Sequence, residues 1–194
     1  MKNEKFDAAQ AFVLKWEGGL SDDKNDAGGI TKYGVCLRFL KTIRPNATAD
    51  TIRNLTKQEA TDIFHSEFWD RCRCDELPDR IAFALYDTAV NTGCKQAVKF
   101  LQRALKITDD GRIGTGTIRA AKTCDVDFVL TDFLEQRRQF YRNLAAKKPS
   151  QQVFLRGWLN RTNALAVALS VAVPSAVAAD DTKEPAPSEN TEVA

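Results

Sequence analysis

The stretch Glu17-Gly-Gly-Leu-Ser-Asp-Asp-Lys-Asn-Asp-Ala-Gly-Gly-Ile-Thr-Lys-Tyr-Gly34 interrupts a chain that otherwise reads as helix. Just before it, Phe6, Ala9, Val13 and Trp16 recur at the spacing that aligns apolar side chains on one helical face. Gly18-Gly19 ends that helix, because glycine takes the left-handed cap conformation without a Cβ clash. Glu17 therefore stands at a helix C-terminus. Residues 18–29 are rich in Gly, Asp and Asn and poor in apolar side chains, which predicts a loop or a short turn-built hairpin, with room for a small hairpin across 18–34. A carboxylate on a helix end is thus followed by a loop carrying Asp22, Asp23 and Asp26, and then by Thr31.

Outward from this segment the periodicity stays helical. Val35 to Ile43 predicts a second helix closed by Pro45, and Thr56 followed by Glu59 forms a capping box ahead of Ala60, Ile63, Phe64 and Phe68. Asp79, after Pro78, opens a buried helix through Ile81, Ala82, Leu85 and Val90 that should end at Asn91-Thr92-Gly93. Ala97, Phe100, Leu101, Ala104 and Leu105 mark another amphipathic helix, broken by Asp110-Gly111 and Gly114. Helix resumes near Thr117, the longest periodic segment runs from about Val126 to Ala146, Pro149 ends it, and a last helix begins near Gln151. No repeat of fixed length is present. The fold class is mainly α, with a boundary expected near Gly93.

The 194 residues, 43% of them hydrophobic, suffice for a real core and suit one domain or a domain with an appendage. The formal charge of +2 conceals an asymmetry. From Asp180 onward there are five acids and one base, so the preceding body holds 27 bases against 21 acids, a net +6. Such a body suits an anionic partner such as nucleic acid, anionic lipid or a cell-wall polymer. Clustered Lys and Arg within a nucleic-acid reading motif are lacking, so nucleic acid is not the expected partner.

Five cysteines, Cys36, Cys72, Cys74, Cys94 and Cys124, leave at least one thiol unpaired in any oxidised monomer, which points to synthesis in a reducing compartment. Cys72-Arg-Cys74 lacks the second pair or His partner of a zinc site, and His65 is the only histidine, so no metal is expected. The mixed charge of residues 1–19 does not read as a secretory signal. Ala164 to Ala179 is strongly apolar but short, and Pro174 interrupts it, so a packing helix ending before Pro174 is expected, with membrane contact of 164–179 a minor alternative. The Pro- and acid-containing end reads as a disordered tail.

Glycosidic hydrolysis needs an acid to protonate the leaving oxygen and a second group to manage water or the developing positive charge. At a helix C-terminus, Glu17 feels the negative end of the macrodipole, and burial beside Trp16 would further disfavour its charged form; both suit a general acid. Taken alone, the residues better describe a solvated helix-ending Glu followed by an acidic turn.

The pattern Glu17-Gly18-Gly19, Asp23, then Asp26-Ala27-Gly28-Gly29-Ile30-Thr31-Lys32-Tyr33-Gly34 closely resembles the signature of the glycoside hydrolase family 108 muramidases, peptidoglycan-cleaving enzymes of phages and bacteria. Phe68-Trp69 and Tyr86-Asp87-Thr88-Ala89-Val90-Asn91-Thr92-Gly93 extend the likeness. Residues from Cys94 resemble the accompanying peptidoglycan-binding domain through Leu101-Gln102, Asp110-Gly111-Arg112-Ile113-Gly114 and Gly157-Trp158-Leu159-Asn160-Arg161. One departure is Thr115, where that pattern usually has proline.

The resemblance implies a lysozyme-like helical catalytic domain over 1–93, a small helical wall-binding domain over 94–165, and an apolar segment with an acidic tail over 166–194. It implies N-acetylmuramidase activity with Glu17 as the catalytic acid and Asp26 and Thr31 placing the attacking water. Asp23 is the rival second carboxylate. Tyr33 packs on a sugar ring or fills the core, and Asn91 binds an N-acetyl group or caps its helix. Asp87 and Asn91, four residues apart, share a helix face and are expected to line one cleft wall. Trp69 and Trp158 suit the core better than a sugar platform. No cofactor is implied, since carboxylates and water suffice. The expected protein is a monomer made in the cytoplasm, released by a holin or another route, and active on the wall. A lytic transglycosylase acting on the same bond and a non-catalytic wall-binding protein are the alternatives.

Overall fold

A computed structural model describes residues 3–16 and 30–173. Glu17, Asp23, Asp26 and the acidic tail lie outside these described residues. Among them are nine α-helices and one two-stranded sheet, so the fold is mainly α and lysozyme-like, as expected.

Helix α1 (Glu4–Trp16) buries Phe6, Ala9, Gln10 and Val13, the face that the apolar spacing marks. The chain next forms a hairpin, β1 (Thr31–Lys32) and β2 (Val35–Cys36), with Thr31 opposite Cys36 and Lys32 opposite Val35. Its two-residue turn has φ of 52° at Tyr33 and 79° at Gly34. Positive φ at both central positions matches the right-handed twist of the strands. Val35-Cys36 is therefore strand, not the start of a helix. The second helix, α2 (Leu37–Ile43), starts two residues later than expected, with the Cys36 sulfur accepting from Phe39 N.

Helix α3 (Ala49–Arg53) was not foreseen. Thr48 and Thr51 form its capping box, with Thr standing where Glu or Gln usually completes the signature. Thr56 and Glu59 cap α4 (Lys57–Phe64) as their spacing predicts. Thr56 Oγ1 accepts from Glu59 N at 3.1 Å, and Glu59 Oε2 accepts from Thr56 N at 2.8 Å. Thr56→Ala removes one of these bonds from an exposed site and is expected to cost about 1 kcal/mol, measured by denaturant unfolding. A π-helical turn, His65–Asp70, continues α4 and carries Trp69 into the core, where its Nε1 donates to Asp75 Oδ1 at 2.9 Å.

The centre of the molecule is α5 (Asp79–Thr92), opened after Pro78 and closed at Gly93, whose φ of 78° suits glycine. One side of α5 packs on α1: Phe6, Trp69 and Tyr86 meet edge to face, and the Tyr86 hydroxyl hydrogen-bonds Gln10 Oε1. The other side meets α6 (Cys94–Ala104) and α8 (Val126–Lys147). Between those two, α7 (Thr115–Thr123) starts two residues before the expected Thr117. A short 3-10 segment, Pro149–Phe154, leads into α9 (Leu155–Ala168). One apolar cluster runs from Phe6 to Val171 and includes both halves of the chain.

The fold continues beyond residue 165, the boundary expected from the sequence. Ala166 belongs to α9, Leu169 and Val171 are buried, and Arg80 donates to the carbonyl of Leu169. The first part of the apolar run is therefore packing surface. Among the described residues no helix is long and apolar enough to cross a membrane.

Candidate active site

The hairpin places the described part of the signature. Thr31 is 8% exposed at the start of β1, and Ile30 before it is core, so the chain is anchored from residue 30 onward. The carbonyl of Ile30 accepts from Leu37 N at 3.0 Å, closing the base of the hairpin. Tyr33 is half-buried at the turn, packed against the core with Lys32 Nζ 5.4 Å from its ring centre. A ring in that position supports the hairpin and keeps one part in solvent. Upstream, Phe12 and Trp16 lie against each other and Phe12 against Phe83 of α5, which fixes the last turn of α1. Glu17, Asp23 and Asp26 fall between these two anchors in the chain.

Asn91 is half-buried at the end of α5, and its Nδ2 donates to the backbone carbonyl of Asp87 at 2.8 Å. Asp87 departs from the expected shared cleft wall. It has no exposed surface, and both carboxylate oxygens are taken from inside. Arg137 Nη1 donates to Oδ2 at 2.5 Å, while Arg161 Nε and Nη2 donate to Oδ1 at 3.0 and 2.8 Å. Arg137 Nη1 also reaches Thr88 Oγ1 at 3.0 Å. A carboxylate with no surface and both oxygens paired is a joint between helices, not a sugar contact. Burial works to raise its pKa, but Arg161 and Arg137 outweigh burial and hold the carboxyl below the usual carboxylate range.

Arg137 and Arg138 are the residues that the helical pattern of α8 hides, since arginine in an amphipathic helix ordinarily reads as solvent face. Arg137 lies 5.8 Å from the Tyr141 ring, and Tyr141 stacks on Trp158 at 4.9 Å. Arg138 Nε donates to Asn163 Oδ1 at 3.1 Å, and burial lowers the pKa of its guanidinium. The available signal was Asp87 itself. An acid surrounded on its helix by Ala84, Leu85, Tyr86, Thr88 and Ala89 demands a cation from another element.

The five cysteines are all free thiols. Among the described residues no three His, Cys, Asp or Glu side chains are grouped to hold a metal ion.

The described helices and the two-stranded hairpin make up a mainly α, lysozyme-like fold, which agrees with a glycoside hydrolase. The family models agree: residues 10–93 match Glycosyl hydrolase 108, and residues 96–163 match a predicted peptidoglycan domain. Residues 10–93 thus resemble the glycosyl hydrolase 108 family, and together with the peptidoglycan domain this makes the protein a peptidoglycan hydrolase. Among solved structures, one titled as the structure of Brucella abortus SagA superposes with a TM-score of 0.77 at 29% identity, covering 89% of this chain and 98% of that one. No curated protein matches the sequence significantly.

Proposed function

We propose that this hydrolase is an N-acetylmuramidase, cutting the β-1,4 bond between N-acetylmuramic acid and N-acetylglucosamine. The observation that carries the reading is the family match over 10–93, which contains the whole segment from Glu17 to Gly34. Glu17 is the general acid that protonates the leaving glycosidic oxygen. Asp26 and Thr31 position and activate the water, with Asp23 the rival for the second carboxylate. Thr31 suits that task because it follows the acidic segment closely in sequence and its backbone is held in β1. Tyr33 and Asn91 are the described candidates for sugar contact, each half-buried with a polar end.

The free thiols fit synthesis in a reducing cytoplasm, with delivery to the wall by a holin-type pore or another route. The protein acts there as a monomer. The reaction is tested by digesting purified sacculi and analysing the fragments by mass spectrometry before and after borohydride reduction. Muramidase action leaves a reducible muramic acid end. A 1,6-anhydro end would instead make the protein a lytic transglycosylase, and the absence of any released fragment would make it a wall-binding protein.

A further inference from the structure

The loop Asp110–Ile113 folds back over the first turns of α6 and, with Arg71 beyond the π-helical turn, bounds a pocket of about 540 Å³. That volume lies in the range of sites for small organic ligands. Its wall is built independently of any ligand. Gln102, 2% exposed, donates through Nε2 to Asp110 Oδ1 at 2.8 Å and to the Arg112 carbonyl at 3.0 Å, and its Oε1 accepts from Gly111 N at 2.8 Å. Gly111 has φ of 74°, and a Cβ there would lie 2.8 Å from Lys95 Cγ and 3.0 Å from the Lys95 carbonyl. Only glycine lets the loop sit this close to α6. Arg73 adds a bond to the Ile113 carbonyl at 3.4 Å.

The lining is cationic. Arg71, Lys95 and Arg112 contribute three positive groups against the single carboxylate of Asp110, whose Oδ1 accepts from Gln102 and from Arg112 N. These bonds, backbone first, hold the Asp110 carboxyl below its ordinary range, so its charge is engaged in shaping the loop. Arg71 shares one N–H with Glu67 at 2.8 Å. Lys95 and Arg112 have no ion-pair partner among the described residues. Val98 and Ile113 add apolar surface between the charges.

We propose that this pocket binds the carboxylate-bearing stem peptide of peptidoglycan, separately from the glycan-cleaving site. The glycan chain of the wall is nearly neutral, and its fixed negative charges reside on the D-glutamyl and terminal carboxylates of the peptides. Those carboxylates suit Lys95 and Arg112, and the small alanine side chains suit Val98 and Ile113. The inference rests on the functional reading only in taking peptidoglycan as the ligand. Most of the lining falls within the residues that match the predicted peptidoglycan domain.

Cys94 supplies a direct readout, because it lines the pocket with a half-buried thiol. A hydrogen bond from Cys72 lowers its pKa against the opposing effect of burial, and Arg71 adds to the lowering. Cys124, half-buried elsewhere, serves as an internal control. In the full-length protein, a free stem tetrapeptide is expected to slow N-ethylmaleimide labelling of Cys94 several-fold and leave Cys124 unchanged, as followed by peptide mass spectrometry. The same peptide with its carboxylates amidated should not protect.

The Lys95→Ala/Arg112→Ala double variant, altered only at exposed side chains, is expected to lose about tenfold in affinity for intact sacculi relative to amidase-stripped glycan strands. Equal loss on both polymers, or no protection by the peptide, overturns the proposal, as does protection by inorganic phosphate alone. Because labelling is done without wall, a wild-type protein inert on sacculi but protected by peptide would count against the muramidase reading and not against this one.

Discussion

Glu17→Gln is expected to reduce muropeptide release by roughly 10²–10⁴-fold, the usual contribution of general acid catalysis, while thermal unfolding and sacculus binding stay at wild-type values. The amide keeps the size and hydrogen-bonding reach of the acid but cannot give a proton to the leaving oxygen, so kcat should fall far more than KM rises. Phe12, Trp16 and Phe83 hold the last described turn of α1, and the thermal midpoint of the variant separates a catalytic loss from a folding defect. Asp26→Asn and Asp23→Asn then separate the rivals for the second carboxylate. The residue whose amide form loses turnover comparably is the one that serves the water. A Glu17→Gln protein that releases muropeptides at the wild-type rate would remove Glu17 from the mechanism.

Much of this architecture could be read from local chemistry. Thr56 with Glu59, and Pro78 with Gly93, bracket α4 and α5 because caps and breakers act on adjacent backbone groups whatever the tertiary context. Where the reading missed, the cause was equally physical. Thr51 replaces the usual acid of a capping box, so α3 carried no recognisable start. Val35 and Cys36 precede a true helix and are apolar enough to be joined to it, but Gly34 at positive φ turns them into the return strand of a hairpin.

The site divides along the same line. The order of Glu17, Asp26 and Thr31 is a property of the chain and was visible there. The inward turn of Asp87 was not, because it depends on arginines 50 and 74 residues away. Asp87 and Asn91 do lie on consecutive turns of α5, as their spacing requires. Face sharing, however, fixes only relative direction, and the Asp87 side of the helix is the one that α8 and α9 cover.

Asp87→Ala is expected to destabilise the protein by about 3–5 kcal/mol, the cost of leaving buried guanidinium groups without their carboxylate. Arg137 is fully buried and Arg161 nearly so, and neither can move its charge to water without unpacking α8 or α9 from α5. For a chain of this size each kcal/mol shifts the midpoint by roughly 2–4 °C, so the loss should exceed about 6 °C in a thermal melt. Asp87→Asn should also be destabilising, since its amide nitrogen would oppose a guanidinium donor.

The pH dependence follows from the depressed pKa of Asp87. Its contribution is complete above the unfolded-state value, about 3.9, and disappears as pH falls through the lower folded-state value. The wild type should therefore lose stability steeply in acid, and the Asp87→Asn variant should lack that part of the slope. A midpoint for Asp87→Ala within about 2 °C of wild type at neutral pH would mean that the helices carry their arginines without this carboxylate, and that the link of α5 to α8 and α9 lies elsewhere.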